Sequence, residues 1–130
     1  MGSKARILVI EGDAGLREFF RAWLEKAGYE VITAPDADAG LLEFHSHGPD
    51  LIIINEELEE LTRSEFIAII RTASHHSDTP ILAVIQGRTP TGDVLRAGAD
   101  AVIRIPDKID EIIPTVRNLL GGRTRAAQKD

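Results

Sequence analysis

The chain has 130 residues, enough for one ordinary domain with a buried core. It contains no cysteine, which excludes disulfides and thiolate metal sites, and its formal net charge of −6 disfavours contact with a nucleic-acid backbone. Its apolar runs are too short to cross a membrane, and no signal-peptide pattern precedes them. We therefore expect a soluble, cytoplasmic domain that binds neither nucleic acid nor membrane.

The first strand is predicted over residues 5–11 and ends in the acidic turn Glu11-Gly12-Asp13. Asp13 is a suitable N-cap for the helix that follows, and Gly28 is a suitable C-terminal stop. A second strand is expected over residues 29–34, before a helix opened by Asp36. The apolar stripe predicted for the first helix consists of Leu16, Phe19, Phe20, Trp23, Leu24 and Ala27.

Four aliphatic residues, Leu51 to Ile54, run without interruption into the amide of Asn55. Such a run is typical of a strand buried on both faces of a parallel sheet. Because ligands collect beyond the carboxyl ends of such strands, Asn55 is a candidate site residue by position. The loop that follows is acidic and contains Glu56, Glu57, Glu59 and Glu60.

A capping box between Thr62 and Glu65 predicts the start of the third helix. A fourth strand is expected over residues 80–85, followed by a short or irregular fourth helix before Gly98. The buried stripe predicted for the third helix consists of Phe66, Ile69, Ile70 and Ala73.

A fifth strand is expected over residues 101–105. Pro114 predicts a kink in the last helix or a loosely wound start before it, because proline costs a helix interior roughly 3 kcal/mol. Gly121-Gly122 should end the domain. The predicted organisation is therefore one domain over residues 4–121, with residues 122–130 as a flexible tail or linker.

Five strands alternating with five helical segments predict a doubly wound parallel α/β fold of the flavodoxin-like type, with strand order 2-1-3-4-5. In that order the first and third strands are neighbours. Glu11, Asp13 and Asn55 should then face one another at the carboxyl edge of the sheet, beside the strands that end at Ile85 and Ile105.

Several short motifs together resemble a bacterial response-regulator receiver domain. Each motif is weak alone, but their order and spacing across the chain are specific. The resemblance implies a chemistry of five parts: an acidic pair that holds Mg²⁺, a nucleophilic aspartate ending the third strand, a Ser or Thr, an aromatic residue and a lysine. The motifs are Ile7-Leu8-Val9-Ile10, Leu16-Arg17-Glu18, Gly28-Tyr29-Glu30-Val31, Pro49-Asp50-Leu51, Thr79-Pro80-Ile81, Ala97-Gly98-Ala99-Asp100 and the final Pro106.

Carried over residue by residue, most of that chemistry is missing. Glu11 stands for the first acid of the pair and Gly12 for the second, while Asn55 takes the place of the nucleophile. The hydroxyl, the aromatic residue and the lysine correspond to Ile85, Val102 and Ile105. The chain therefore resembles a degenerate receiver, or pseudo-receiver. The resemblance also implies a cis peptide bond between Ile105 and Pro106.

A divalent cation is a secondary alternative for this pocket. Glu11, Asp13, Glu57 and the Asn55 carbonyl oxygen could supply hard oxygen ligands. The competing interpretation is that Glu11 is a solvated carboxylate at a strand end, that Asp13 is a helix cap, and that the loop glutamates are solvated. We favour the second interpretation and predict no bound cofactor.

These residues predict a phosphorylation-independent interaction module in bacterial signalling, not an enzyme. The partner would be another protein, a larger host protein or a second copy of the chain. The candidate partner surfaces contain Glu56, Glu59, Glu60, Arg96, Arg104 and Pro114. The alternatives are an unconventional metal-dependent phosphoacceptor receiver and, by fold analogy alone, a flavin or nucleotide binder.

Overall fold

The computed structural model describes residues 4–55, 62–73 and 78–129, except for the side chains of 122–129. One parallel sheet has the strand order β2-β1-β3-β4-β5, which confirms the predicted flavodoxin-like topology. The strands are β1 Arg6–Ile10, β2 Glu30–Ala34, β3 Leu51–Asn55, β4 Ile81–Gln86 and β5 Ala101–Ile105. The helices are α1 Ala14–Lys26, α2 Ala37–His47, α3 Arg63–Thr72, α4 Gly92–Ala97 and α5 Ile112–Lys129. Within the described ranges, no helix combines the length and apolar character that a membrane crossing requires.

The sheet has a separate apolar layer on each face, because successive side chains of a strand point to opposite sides. Ile7, Val9 and Ile53 pack with α1 and α5 on one face. Leu8 and Ile52 pack with α2, α3 and α4 on the other. All five residues of β3 are buried, as expected for the central strand of a sheet covered on both sides.

The predicted helix starts are confirmed. Asp13 accepts a hydrogen bond from the Leu16 backbone N–H at 2.7 Å, and Asp36 caps α2 in the same way. Thr62 and Glu65 form the reciprocal capping box of α3. The hydrogen bond from the Thr62 backbone N–H to the Glu65 carboxylate, with a second bond involving the Thr62 side chain, lowers the pKa of Glu65.

The predictions of a short fourth helix and of an irregular start to the fifth are also confirmed. Helix α4 has only six residues, in agreement with the prediction of a short element. A 3₁₀ turn at Ile109–Glu111 precedes α5, and Pro114 is the third residue of that helix. A backbone N–H in the first turn has no partner within the helix, so proline is tolerated there. The loosely wound start is thus the alternative that the chain adopts.

Two predicted core positions are wrong. Phe19 is 46% exposed, because it lies at the edge of the α1 stripe and packs its ring beside Trp23 at a centroid distance of 5.3 Å. Ile69 is 38% exposed, whereas Ile67 is fully buried in the layer against α2 and α4. The apolar stripe of α3 is therefore rotated by about one residue from the predicted one.

The predicted end of the domain does not coincide with the end of a helix. Helix α5 continues through Gly121 and Gly122 to Lys129. Extending an existing helix avoids the nucleation cost, and residues 123–129 include Arg, Ala, Gln and Lys, which are good helix formers. The assignment of residues 122–130 as a linker stays a prediction.

Gly40 allows α2 to lie close to β1, just before the acidic turn. A Cβ added at Gly40 would be 2.6 Å from Ile10 Cδ1 and 3.5 Å from Phe66 Cε1. Both neighbours are fully buried in the core, so a shift of either would disturb the packing around it. The packing of this glycine therefore helps to fix the end of β1.

We expect Gly40→Ala to destabilise the domain by about 1 kcal/mol. Overpacking costs roughly 1–3 kcal/mol, which exceeds the gain of about 1 kcal/mol from replacing a helical glycine. Urea unfolding checks this, with Gly15→Ala as the matched control. Gly15 is exposed near the start of α1, and its added Cβ would make only ordinary contacts, so this variant should be more stable than the wild type. A stabilised Gly40→Ala variant would contradict the proposed close packing.

Candidate functional site

The register of the central strands brings Glu11 and Asn55 together. Ile10 of β1 pairs with Ile54 of β3, so the next residue of each strand reaches the same point of the sheet edge. Glu11 and Asn55 are 4% and 3% exposed. The fold thus places a carboxylate and an amide side by side in a buried position.

The Glu11 carboxylate is bound through both oxygen atoms. Its Oε1 accepts a hydrogen bond from Asn55 Nδ2, and its Oε2 accepts one from the Asp13 backbone N–H at 3.0 Å. The main chain of Glu11 is held as well, because its N–H donates to the Ala34 carbonyl at 3.0 Å. The prediction that Glu11 is a solvated strand-end carboxylate is therefore wrong, since the turn after β1 folds over it.

The rest of the acidic turn has a different role. Asp13 is exposed, and its carboxylate caps α1, as the sequence predicts. Gly12 is exposed too, and a Cβ added there would meet only Pro35 O, at 3.6 Å, within 4 Å. A Cβ at this position would therefore make only an ordinary contact, but glycine provides no functional group there.

The other pocket positions divide into two groups. Ile105 is buried in the layer against α1 and α5, and the bond from Ile105 to the exposed Pro106 is cis, as the resemblance implied. Ile85 and Val102 line a groove beside α4. Glu57, like Glu56, Glu59 and Glu60, lies outside the described residues.

The groove beside α4 has a volume of about 460 Å³. Leu95, which is 50% exposed, contributes an apolar wall, and Arg104 contributes a guanidinium that donates a hydrogen bond to Gly87 O. Arg96 does not line it; its side chain is exposed and pairs with Asp93 at 2.7 Å. Pro114 is exposed on α5 and is also outside the groove lining. The full lining consists of Ile85, Thr91, Leu95, Val102, Ile103, Arg104, Lys108 and Glu111.

The described residues do not form a fitting site for a divalent cation. Among them, no three His, Cys, Asp or Glu side chains converge as metal ligands. Mg²⁺ and Ca²⁺ bind through oxygen atoms, but the group that Asn55 directs at Glu11 is its nitrogen. Asp13 uses a carboxylate oxygen for the helix cap.

Arg17 is a site residue that the sequence reasoning missed. Its guanidinium Nη1 donates a hydrogen bond to the Glu11 carbonyl oxygen at 2.8 Å. Arg17 follows the N-cap Asp13 by four residues, so it lies one helical turn further along the same face of α1. That spacing from the acidic turn is the signal that could have identified it.

Comparison with known proteins decides the family. Residues 7–117 match the response regulator receiver domain family. The chain belongs to this family. Among curated relatives, this receiver domain is 33% identical to the KDP operon transcriptional regulatory protein KdpE of Escherichia coli over 85% of the chain. It is 27% identical to the phosphate regulon transcriptional regulatory protein PhoB of Klebsiella pneumoniae over 88% of the chain.

Solved structures agree on the receiver fold. The chemotaxis response regulator CheY4 of Vibrio cholerae superposes with a TM-score of 0.82 at 25% identity, covering 90% of this chain and 99% of that one. A CheY-like receiver domain protein of Methanospirillum hungatei gives a TM-score of 0.86 at 22% identity, covering 95% and 99%. The receiver domain spans about half the length of its curated relatives, 49% of KdpE and 51% of PhoB.

We expect Glu11→Ala to destabilise the receiver domain by about 2–3 kcal/mol. The substitution removes the acceptor of the buried Asn55 amide and of the part-buried Asp13 backbone N–H. An unsatisfied buried polar group costs roughly 1–3 kcal/mol. Glu11→Gln retains one oxygen and should lose less. Equilibrium unfolding in urea measures both effects.

The matched control is Glu18→Ala, which removes an exposed carboxylate paired with Arg21 on the surface of α1. Its expected effect is within about 0.5 kcal/mol. Equal losses for Glu11→Ala and Glu18→Ala would show that the buried hydrogen bonds contribute nothing.

Proposed function

We propose that this receiver domain is a phosphorylation-independent interaction module of bacterial signal transduction. The observation that carries the proposal is the buried pair of Asn55 and Glu11 at the carboxyl end of the central strands. The module would act on a protein partner, on a larger host protein or on a second copy of itself. Its surface charge speaks against nucleic acid as the partner, because the net charge of the chain is −6.

The first support is the chemistry of Asn55. This residue stands where the resemblance puts the nucleophilic aspartate, at the last position of β3. In the chemistry that the resemblance implies, the nucleophile is an ionised carboxylate, and a neutral amide does not form an acyl phosphate. Its nitrogen is also engaged, because it donates to Glu11.

The second support is the loss of the groups that would stabilise a transferred phosphoryl group. Phosphoryl transfer depends on positioning and on cationic groups that neutralise the developing charge. Gly12 offers no carboxylate for a metal ion, and Ile105 offers an apolar side chain where the family has a lysine. Restoring the nucleophile alone would leave both deficits.

The third support is the groove beside α4, which offers a surface for a partner. It combines the exposed apolar side chain of Leu95 with the cationic side chains of Arg104 and Lys108. Lys108 is partly neutralised by Glu111 at 3.7 Å. Apolar contact with a charged rim is the usual composition of a protein interface.

We expect the wild-type protein to remain unmodified by small phosphoryl donors. After incubation with acetyl phosphate and Mg²⁺, intact-mass spectrometry should show no added phosphoryl group. Beryllofluoride with Mg²⁺ should leave the fluorescence of Trp23 unchanged. A receiver domain that accepts phosphate is the positive control, and a phosphorylated wild-type protein would establish the alternative function, an unconventional phosphoacceptor.

The variant Asn55→Asp distinguishes the first support, the missing nucleophile, from the second, the missing groups at Gly12 and Ile105. We expect it to remain unphosphorylated, because Gly12 and Ile105 are unchanged. Adding Gly12→Asp and Ile105→Lys to Asn55→Asp supplies the nucleophile, the second acid and the lysine, which are three of the five groups that the chain lacks. Acid-labile phosphate on Asn55→Asp alone would show that the nucleophile is the only deficit.

We expect Leu95→Ser and Arg104→Glu to weaken partner binding about tenfold or more, as loss of a well-buried interface contact does. Partners are captured from a lysate and identified, and self-association is measured by size-exclusion chromatography with light scattering. Arg96→Glu tests the neighbouring candidate residue, whose charge is already paired with Asp93.

Leu42→Ser is the matched control for Leu95→Ser. Leu42 is 70% exposed on α2, which packs against the other half of the sheet, next to β1 and β2. Both leucines are surface residues, so neither change should alter stability by more than about 0.5 kcal/mol. Equal binding by the Leu95, Arg104 and Leu42 variants would exclude the groove as the interface.

A further inference from the structure

We infer that the Asn55 side-chain amide replaces a divalent cation in this pocket, so that the domain folds and binds without Mg²⁺ and does not respond to it. The inference deepens the proposed function and rests on it, because it concerns how the same pocket is kept in one fixed state. It follows from three features of the described residues.

The first feature is the orientation of the amide. A carboxylate can only accept hydrogen bonds, so the atom of Asn55 that contacts Glu11 Oε1 has to be the nitrogen. The oxygen in that position would face another oxygen at hydrogen-bonding distance and repel it. The partial positive charge of the N–H group therefore lies beside the carboxylate, where a metal ion would otherwise bind. A metal ion in that position would need several oxygen ligands around it, and the amide presents a nitrogen.

The second feature is that the turn itself satisfies the other oxygen of the same carboxylate. Glu11 Oε2 accepts from the Asp13 backbone N–H at 3.0 Å, and the Glu11 main-chain oxygen accepts from Arg17 Nη1 at 2.8 Å. Because Glu11 is only 4% exposed, a cation could reach its carboxylate only by displacing Asn55 or opening this turn. Both changes would expose or unpair polar groups in a position that is only 3–4% exposed.

The third feature is the shortage of further ligands. Gly12 has no side chain, and Asp13 is committed to the cap of α1 at 2.7 Å from the Leu16 nitrogen. The described part of the pocket thus offers one buried carboxylate that is already paired. Because a cation would lose these hydrogen bonds and gain few ligands, the amide contact is favoured over the metal.

Thermal unfolding with and without Mg²⁺ tests the inference. In buffer with EDTA, and then in millimolar MgCl₂ at matched ionic strength, the wild-type Tm should be unchanged. Asn55→Asp should lower the Tm in EDTA by about 5 °C or more, because it places two carboxylates in contact, and Mg²⁺ should restore much of that loss.

The matched control is Asn118→Asp, which makes the same chemical change at an exposed position of α5. It should show neither the lower Tm nor the response to Mg²⁺. If Asn55→Asp behaves like Asn118→Asp, or stays unfolded in Mg²⁺ as well as in EDTA, the amide is not standing in for a cation and the inference is wrong.

A measurement on the wild-type protein does not depend on any variant folding. In a ¹⁵N-labelled sample, the side-chain NH₂ signals of Asn55 should show slow exchange with solvent, as expected of a buried donor. Paramagnetic Mn²⁺ should not broaden the backbone amide signals of Asp13 and Leu16 selectively. Saturable, selective broadening there would overturn the inference by showing a cation site in the unmodified chain.

The outcomes distinguish this inference from the proposed function. A wild-type protein that binds Mg²⁺ yet takes up no phosphoryl group contradicts only the inference. A wild-type protein that takes up a phosphoryl group contradicts the proposed function itself. A protein that does neither, with Asn55→Asp alone responding to Mg²⁺, supports both.

Discussion

A polar side chain at the end of β3 has to find its hydrogen-bond partner inside the protein. The strand is covered on both faces, and all five of its residues are buried. Leaving a buried amide or carboxylate unpaired costs roughly 1–3 kcal/mol, which is a substantial part of the stability of a small domain. Glu11 and Asn55 meet this constraint with each other. The turn after β1, the start of α1 and the position of Arg17 all contribute to the same small cluster.

The strand pattern made most of the fold predictable, because uninterrupted aliphatic runs leave few alternatives to a covered parallel sheet. The helix faces were less predictable. In α3, Phe66 and Ile70 belong to two possible apolar stripes, one that includes Ile67 and one that includes Ile69. Spacing alone does not choose between them. The positions of α2 and α4 decide which stripe is buried, and Ile67 packs against them.

The site was predictable in its location but not in its burial. Strand order and register place Glu11 beside Asn55, and both follow from the sequence pattern. Whether the turn after β1 leaves the Glu11 carboxylate in water depends on how the backbone of Asp13 and the side chain of Arg17 are placed, and the spacing of apolar residues does not encode this conformation. A carboxylate at a strand end is more often solvated, so the sequence alone favoured the wrong environment.

The pocket contains hydrogen-bonding side chains, whereas the groove beside α4 meets it through aliphatic ones. A change of state in the pocket could alter the shape of the groove only through residues whose interaction energy differs between the two states of the pocket. Ile85 and Val102 line the groove, and each has an aliphatic side chain without a hydrogen-bonding group. A hydroxyl at position 85 could turn toward an added anion, whereas isoleucine gains no hydrogen bond by moving. These two side chains therefore offer no hydrogen bond through which a change at Asn55 could reshape the groove, as the proposed function requires.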